Sequence, residues 1–142
     1  MKTVKYALAT LVFLWWFFLS HVTFTTDWLY SASFSNERYQ AKDYHPAPTN
    51  FFGLYFWLVN EMPIFAVLYD SEGRYLGQSS PFLIASSIHV SGGENVLPET
   101  NNYDKKQGRY DSFYITGDPF DGRYTISTKN KTWWSWLLQF VH

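Results

Sequence analysis

Four histidines, His21, His45, His89 and His142, are the side chains best suited to hold a metal or move a proton near neutral pH, and they are scattered along the whole chain. No H-x-H or H-E-x-x-H spacing joins any two of them, so the sequence predicts no metal site. Ser86 precedes His89 by three residues, but no G-x-S-x-G elbow exposes it as a nucleophile, and His89 reads as a structural strand histidine. Neither a G-x-G-x-x-G nor a G-x-x-x-x-G-K-[ST] phosphate loop is present, and Gly92-Gly93 reads as a turn. Asp111, Asp118 and Asp121 gather in and beside one expected turn, where acidic loops bind calcium through oxygen ligands. The D-x-[DN]-x-[DN]-G series is missing there, and Asp-Pro and Asp-Gly pairs are ordinary turn formers. A carboxylate pair for glycoside hydrolysis could be drawn from Glu61, Asp70 or Glu72, but a strand-turn-strand segment gives that choice no support.

Composition narrows the chemistry further. The 142 residues contain no cysteine, which excludes disulfides and thiolate chemistry. Eleven basic and twelve acidic side chains leave a net charge of -1 and no field to draw in nucleic acid. The residues therefore predict neither an enzyme nor a cofactor. What remains is binding, and aromatic and cationic side chains near loops are the natural candidates because Trp, Tyr and Arg dominate interface hot spots. Tyr103, Lys105, Lys106, Arg109, Trp133, Trp134 and Trp136 are the expected partner-contacting set. Asn130-Lys131-Thr132 also fits the N-glycosylation sequon, which matters only in a eukaryotic secretory pathway.

The elements that would position these residues begin with an apolar run. Lys2 and Lys5 precede Tyr6–Leu19, and no further charge appears until Asp27. The uncharged window Tyr6–Thr26 is 21 residues long. As a helix it would match the roughly 30 Å hydrocarbon core of a bilayer. Small residues at a cleavage position are missing after Leu19, and Trp15, Trp16, Phe17 and Phe18 are bulky for a signal core. The sequence thus predicts an uncleaved single-pass transmembrane anchor at 6–26, with residues 1–5 as a cytoplasmic head by the positive-inside rule. Trp28 then suits the outer interface, and residues 27–50, which contain Pro46-Ala47-Pro48, read as an extended tether. A first irregular strand over Ser31–Tyr39 is the competing reading.

From Phe51 onward the pattern reads as β. Phe51–Val59 and Pro63–Tyr69 look like buried strands, Asp70-Ser71-Glu72-Gly73 like a tight turn, and Phe82–Val90 like another strand. Residues 94–108 form an expected exposed loop, and Arg109–Thr116 and Arg123–Thr128 an expected hairpin around Gly117–Gly122. The fold class expected is mainly β, a single transmembrane helix followed by a small antiparallel β-sandwich, immunoglobulin-like or a small barrel, over 51–131. In the tail, 132–142, Trp133, Trp136, Leu137 and Phe140 recur at helical spacing and form one stripe. It is read first as packed on the β domain, with a membrane-lying or partner-docking segment as alternatives.

The expected architecture is similar to that of many small envelope proteins of Gram-negative bacteria, a resemblance of layout that transfers no residue. It implies an inner-membrane location with the C-terminal domain in the periplasm. The expected function is protein-protein interaction, as accessory subunit of an envelope membrane complex or as an immunity or exclusion protein against an incoming toxin. The expected partners are the membrane and another envelope protein or toxin, not nucleic acid. A small apolar-ligand carrier or an exported enzyme is the alternative.

Overall fold

The computed structural model describes residues 1–86, 94–100, 102, 104–116 and 122–142. Its centre is an antiparallel meander of β1 (Tyr30–Ser35), β2 (Tyr39–Tyr44), β3 (Pro63–Asp70) and β4 (Tyr75–Gln78), in that spatial order. A fifth, two-residue strand, β5 (Ala85–Ser86), pairs with the Pro63 end of β3. Each hairpin has a local cause. Asn36 Oδ1 accepts from the Arg38 and Tyr39 amides at 2.9 and 2.7 Å and turns β1 into β2. Asp70 Oδ1 accepts from the Glu72 and Arg74 amides, each at 2.9 Å, and Gly73 takes φ +80°.

Because side chains alternate along a strand, β3 feeds two separate cores. Ile64, Ala66 and Leu68 meet Ala41, Leu97, Phe113, Ile115, Tyr124 and Ile126 on one face. That face is covered by a second sheet of three short strands, β6 (Asn95–Val96), β7 (Ser112–Ile115) and β8 (Ile126–Ser127). The Tyr124 hydroxyl, 1% exposed, locks the two layers by donating to the Ile64 carbonyl at 3.0 Å and accepting from the Ala85 amide. A single helical turn, α4 (Asp104–Gln107), precedes β7. Phe65 and Val67 point the other way, into a core built with Leu19, Val22, Phe56, Ile84 and Leu138. Helices cover that face: α1 (Lys2–Phe18), α2 (Ser20–Thr23), α3 (Phe51–Val59) and α5 (Trp133–Leu138).

Several expectations are corrected. The fold is mixed helix and strand, not a transmembrane helix followed by a β-sandwich, and among the described residues no helix is long and apolar enough to cross a membrane. The reason lies at Leu19. Residues Ser20–Thr23, expected to complete the span at 6–26, are instead core, with Ser20, His21 and Val22 fully buried. Asn50 Nδ2 holds that break, donating to the Trp16 carbonyl and, at 2.6 Å, to Ser20 Oγ. What is left, α1, is 17 residues, roughly 25 Å at the helical rise. The residues expected to anchor a span, Trp15, Trp16, Phe17 and Phe18, lie in α1 and Trp28 stands 78% exposed after α2.

Residues 27–50, expected as a tether, hold β1 and β2. Phe51–Val59, expected as a strand, is a helix because Asn50 caps it, its Oδ1 accepting from the Gly53 amide at 2.8 Å. The turn Gly117–Gly122 and strand 82–90 fall partly outside the described residues. In the tail, the helix expected from its stripe is present, but the stripe faces outward. Trp133, Trp136, Leu137 and Phe140 are exposed, while Ser135 and Leu138 are the residues α5 buries.

Candidate binding surface

β1 is an edge strand with an unusual character. It pairs with β2 on one side, and among the described residues no strand pairs with its other side. Its six residues, Tyr30–Ser35, include no charge and no proline, the usual devices that keep an edge from pairing with another chain. Ala32 and Phe34 turn inward, and Ser31, Ser33 and Ser35 face solvent. The one irregularity is a register shift between Tyr30 and Ala32.

A cleft of about 300 Å³ continues from the end of this edge, lined by Asn36, Glu37, Arg38, Pro98, Glu99, Thr100 and Tyr110. The β1–β2 turn forms one wall, and Asn36 Nδ2 ties it to the other by donating to the Pro98 carbonyl at 3.3 Å. Arg38 and Glu99 form an ion pair across the mouth. Glu99 has φ +62°, the left-handed region that a non-glycine residue occupies at a cost of about 1 kcal/mol or more. Its amide donates to the Tyr110 carbonyl at 2.7 Å, which holds that conformation in place. Lys105 Nζ lies 4.7 Å above the ring of Tyr110, which lines the cleft, and the Arg109 guanidinium lies 4.8 Å above Tyr114, so both cationic heads sit on aromatic faces.

The expected partner-contacting set is therefore split. Lys105, Lys106 and Arg109 are exposed, with Lys105 over the Tyr110 wall of this cleft, Tyr103 lies outside the described residues, and Trp133, Trp134 and Trp136 sit on α5 across the sheet. Trp134 is half-buried and its Nε1 donates to the Gln78 carbonyl at 3.1 Å. In the sequence this edge stands only as the competing reading, an irregular strand over Ser31–Tyr39, because serines, mixed charges and prolines dominate 31–50. The alternation Tyr30-Ala32-Phe34 and Tyr39-Ala41-Asp43 about Asn36-Glu37 was the signal that could have found it.

Other candidates hold structural positions. The His21 ring is buried between Phe52 and Phe56, donates Nε2–H to the Pro81 carbonyl at 2.8 Å, and is held down to a pKa of about 4, mainly by burial. His45 Nδ1 meets the Pro63 carbonyl at 2.6 Å, and His142 stacks on Tyr75. Asp111 pairs with Lys129 at 2.9 Å, and Asp118, Asp121 and His89 lie outside the described residues. Asp70 is committed to its turn, and backbone hydrogen bonding at Arg74 is the main cause that keeps its carboxylate below the usual range. Among the described residues no three His, Cys, Asp or Glu side chains group as metal ligands would.

No curated protein and no solved structure matches the chain. Residues 1–138 match the sequence family described as "Family of unknown function (DUF6201)". With nearly its whole length covered, from the apolar N-terminal helix through the β1 edge to the buried Leu138, this chain belongs to that family.

Proposed function

We propose that the protein acts by binding another protein, and that an extended segment of the partner adds to the β1 edge and runs into the adjoining cleft. The observation that carries this reading is the open, uncharged, six-residue edge of β1. Main-chain hydrogen bonds along such an edge supply affinity, and alternate side-chain pockets supply selectivity. The cleft offers the second element, with Arg38 and Glu99 at its mouth and Tyr110 in its wall. Lys105, over the Tyr110 ring in the cleft wall, favours a partner segment with an acidic residue beside the strand. A non-catalytic role suits these features, as accessory subunit of a bacterial envelope complex or as an immunity protein that occupies a toxin.

The test places a photo-crosslinking residue at Arg38 in the full-length protein at native expression. One adduct of defined mass is expected, its yield reduced at least tenfold by Ser33→Lys, which sets a charge on the exposed side of the edge. Adducts that form only from positions on α5, or a yield indifferent to Ser33→Lys, would overturn the reading.

A further inference from the structure

All three longer helices turn apolar faces away from the protein. α5 buries Ser135 and Leu138 and exposes Trp133, Trp136 and Leu137. α3 buries Gly53 and Phe56 and exposes Phe51, Leu54, Tyr55 and Leu58, the last at 77%. α1 buries nothing fully, and Leu8, Leu11, Val12 and Phe13 are each more than half exposed. A helix apolar all round belongs in an apolar medium. These faces also join. Phe51 stacks on Phe17 at 5.9 Å, Phe18 meets Phe82 at 6.3 Å, and Phe82 meets Trp133 at 6.3 Å, so one aromatic seam crosses from α3 over α1 to α5.

Charge is segregated in the same sense. None of the twelve Asp and Glu side chains lies in Lys2–Thr23, Phe51–Val59 or Thr132–His142. The charges in those segments are Lys2 and Lys5, and six of the seven tryptophans are there too. The acidic groups all belong to the strands, the loops and the single-turn helix α4. A protein interface can be aromatic, but a surface this wide that holds no acid, carries two lysines and is rich in indole matches an anionic lipid surface. Indole rings settle at the headgroup level and lysines meet lipid phosphate. Between α1 and α5 the seam opens into a groove of about 400 Å³ walled by Leu14, Trp15, Phe18, Phe82, Trp133 and Leu137, open along the same face.

From this geometry we infer that the helical layer docks on an anionic lipid bilayer from one side, without crossing it. α1 and the outer faces of α3 and α5 enter the boundary between headgroups and acyl chains. This is independent of the β1 edge, which lies on the strand layer.

The test is flotation of the purified full-length protein with vesicles of phosphatidylcholine alone and of phosphatidylcholine with phosphatidylglycerol at three to one. The protein should float with the anionic vesicles, at least fivefold more than with neutral ones at low salt. The triple variant Trp133→Ser, Trp136→Ser, Phe140→Ser changes only exposed side chains, so its circular dichroism should match the parent while its flotation falls at least tenfold. Brominated acyl chains should quench the parent's tryptophan fluorescence. Failure to float, flotation unchanged in the triple variant, or a stable dimer in vesicle-free solution that covers these residues would each overturn the proposal. So would labelling of Lys2 by an impermeant amine reagent on the far side of the bilayer.

Discussion

His21 and Asp43 are ionisable groups held neutral by burial, and they couple stability to pH in opposite directions. Asp43 is 4% exposed, its Oδ1 has no hydrogen-bond partner, and burial raises its pKa to about 7 from 3.8. His21 is fully buried, with its pKa lowered to about 4 from 6.5. For Asp43 the folded state holds a proton between about 4 and 7 that the unfolded chain has released, so its contribution to stability falls as pH rises through that window. For His21 the unfolded chain holds the extra proton between about 4 and 6.5, so its contribution falls as pH drops. Each slope is about 1.4 kcal/mol per pH unit, and the two cancel over most of that range. The partly exposed His142, lowered to about 4 by burial, adds a smaller slope of the same sign as His21. Urea unfolding should therefore give a stability that rises gently from pH 4.5 to 6.5, dips as Asp43 ionises near 7 and is level from there to pH 8. Asp43→Asn should be more stable than the parent at pH 8 by about 2 to 4 kcal/mol. It should also lose stability as pH drops from 6, because His21 is then unopposed. A parent more stable at pH 8 than at pH 6.5, or a variant no more stable than the parent at pH 8, would refute this account.

At the scale of the element, caps and close contacts decided what side-chain pattern left open. Phe51–Val59 is apolar on every side, and an apolar run of nine residues reads equally as strand or helix. Asparagine is a common helix cap, but the second task of Asn50, holding Trp16 and Ser20, depends on a contact 30 and more residues away in sequence. Asn50→Ala should cost about 2 to 3 kcal/mol in chemical denaturation, more than a cap alone, because Ser20 loses its buried partner as well. Gly53→Ala should destabilise too, although alanine favours helix by about 1 kcal/mol. A Cβ there would lie 2.2 Å from the Ala47 carbonyl oxygen and 3.1 Å from His21 Cβ. The tail supplies a matched pair. Leu138→Ala, at a site 1% exposed, should cost about 2 to 4 kcal/mol, whereas Trp136→Ala, at 57% exposed, should cost under about 1. Equal losses at both would place the tryptophan stripe in the core after all.

For the whole molecule, turn chemistry and alternation made the β3–β4 hairpin and the strand character of Arg109–Thr116 legible, because those signals are local. The partition into an apolar helical side and a polar strand side was not legible. It depends on which face of each helix meets the sheet, and α5 shows the difficulty: its apolar stripe is outside and Ser135 is inside, where its Oγ accepts from the Gln78 amide at 3.1 Å. The missing transmembrane span has the same origin, since the uncharged stretch from Tyr6 to Thr26 conceals a boundary at Leu19 that only the burial of His21 and Val22 reveals.

The order of the helical layer along the chain has a consequence in time. Synthesis completes α1 first, while α5, across the groove from it, begins 115 residues later. At about 5 to 20 residues per second that interval is on the order of ten seconds, far longer than a helix needs to form. Within it α3, which begins 33 residues after α1, brings Phe51 and Phe52 against Phe17, so the side of α1 that faces the groove is the part left open longest. Whatever covers the groove side of α1 in that interval must do so while the ribosome is still at work.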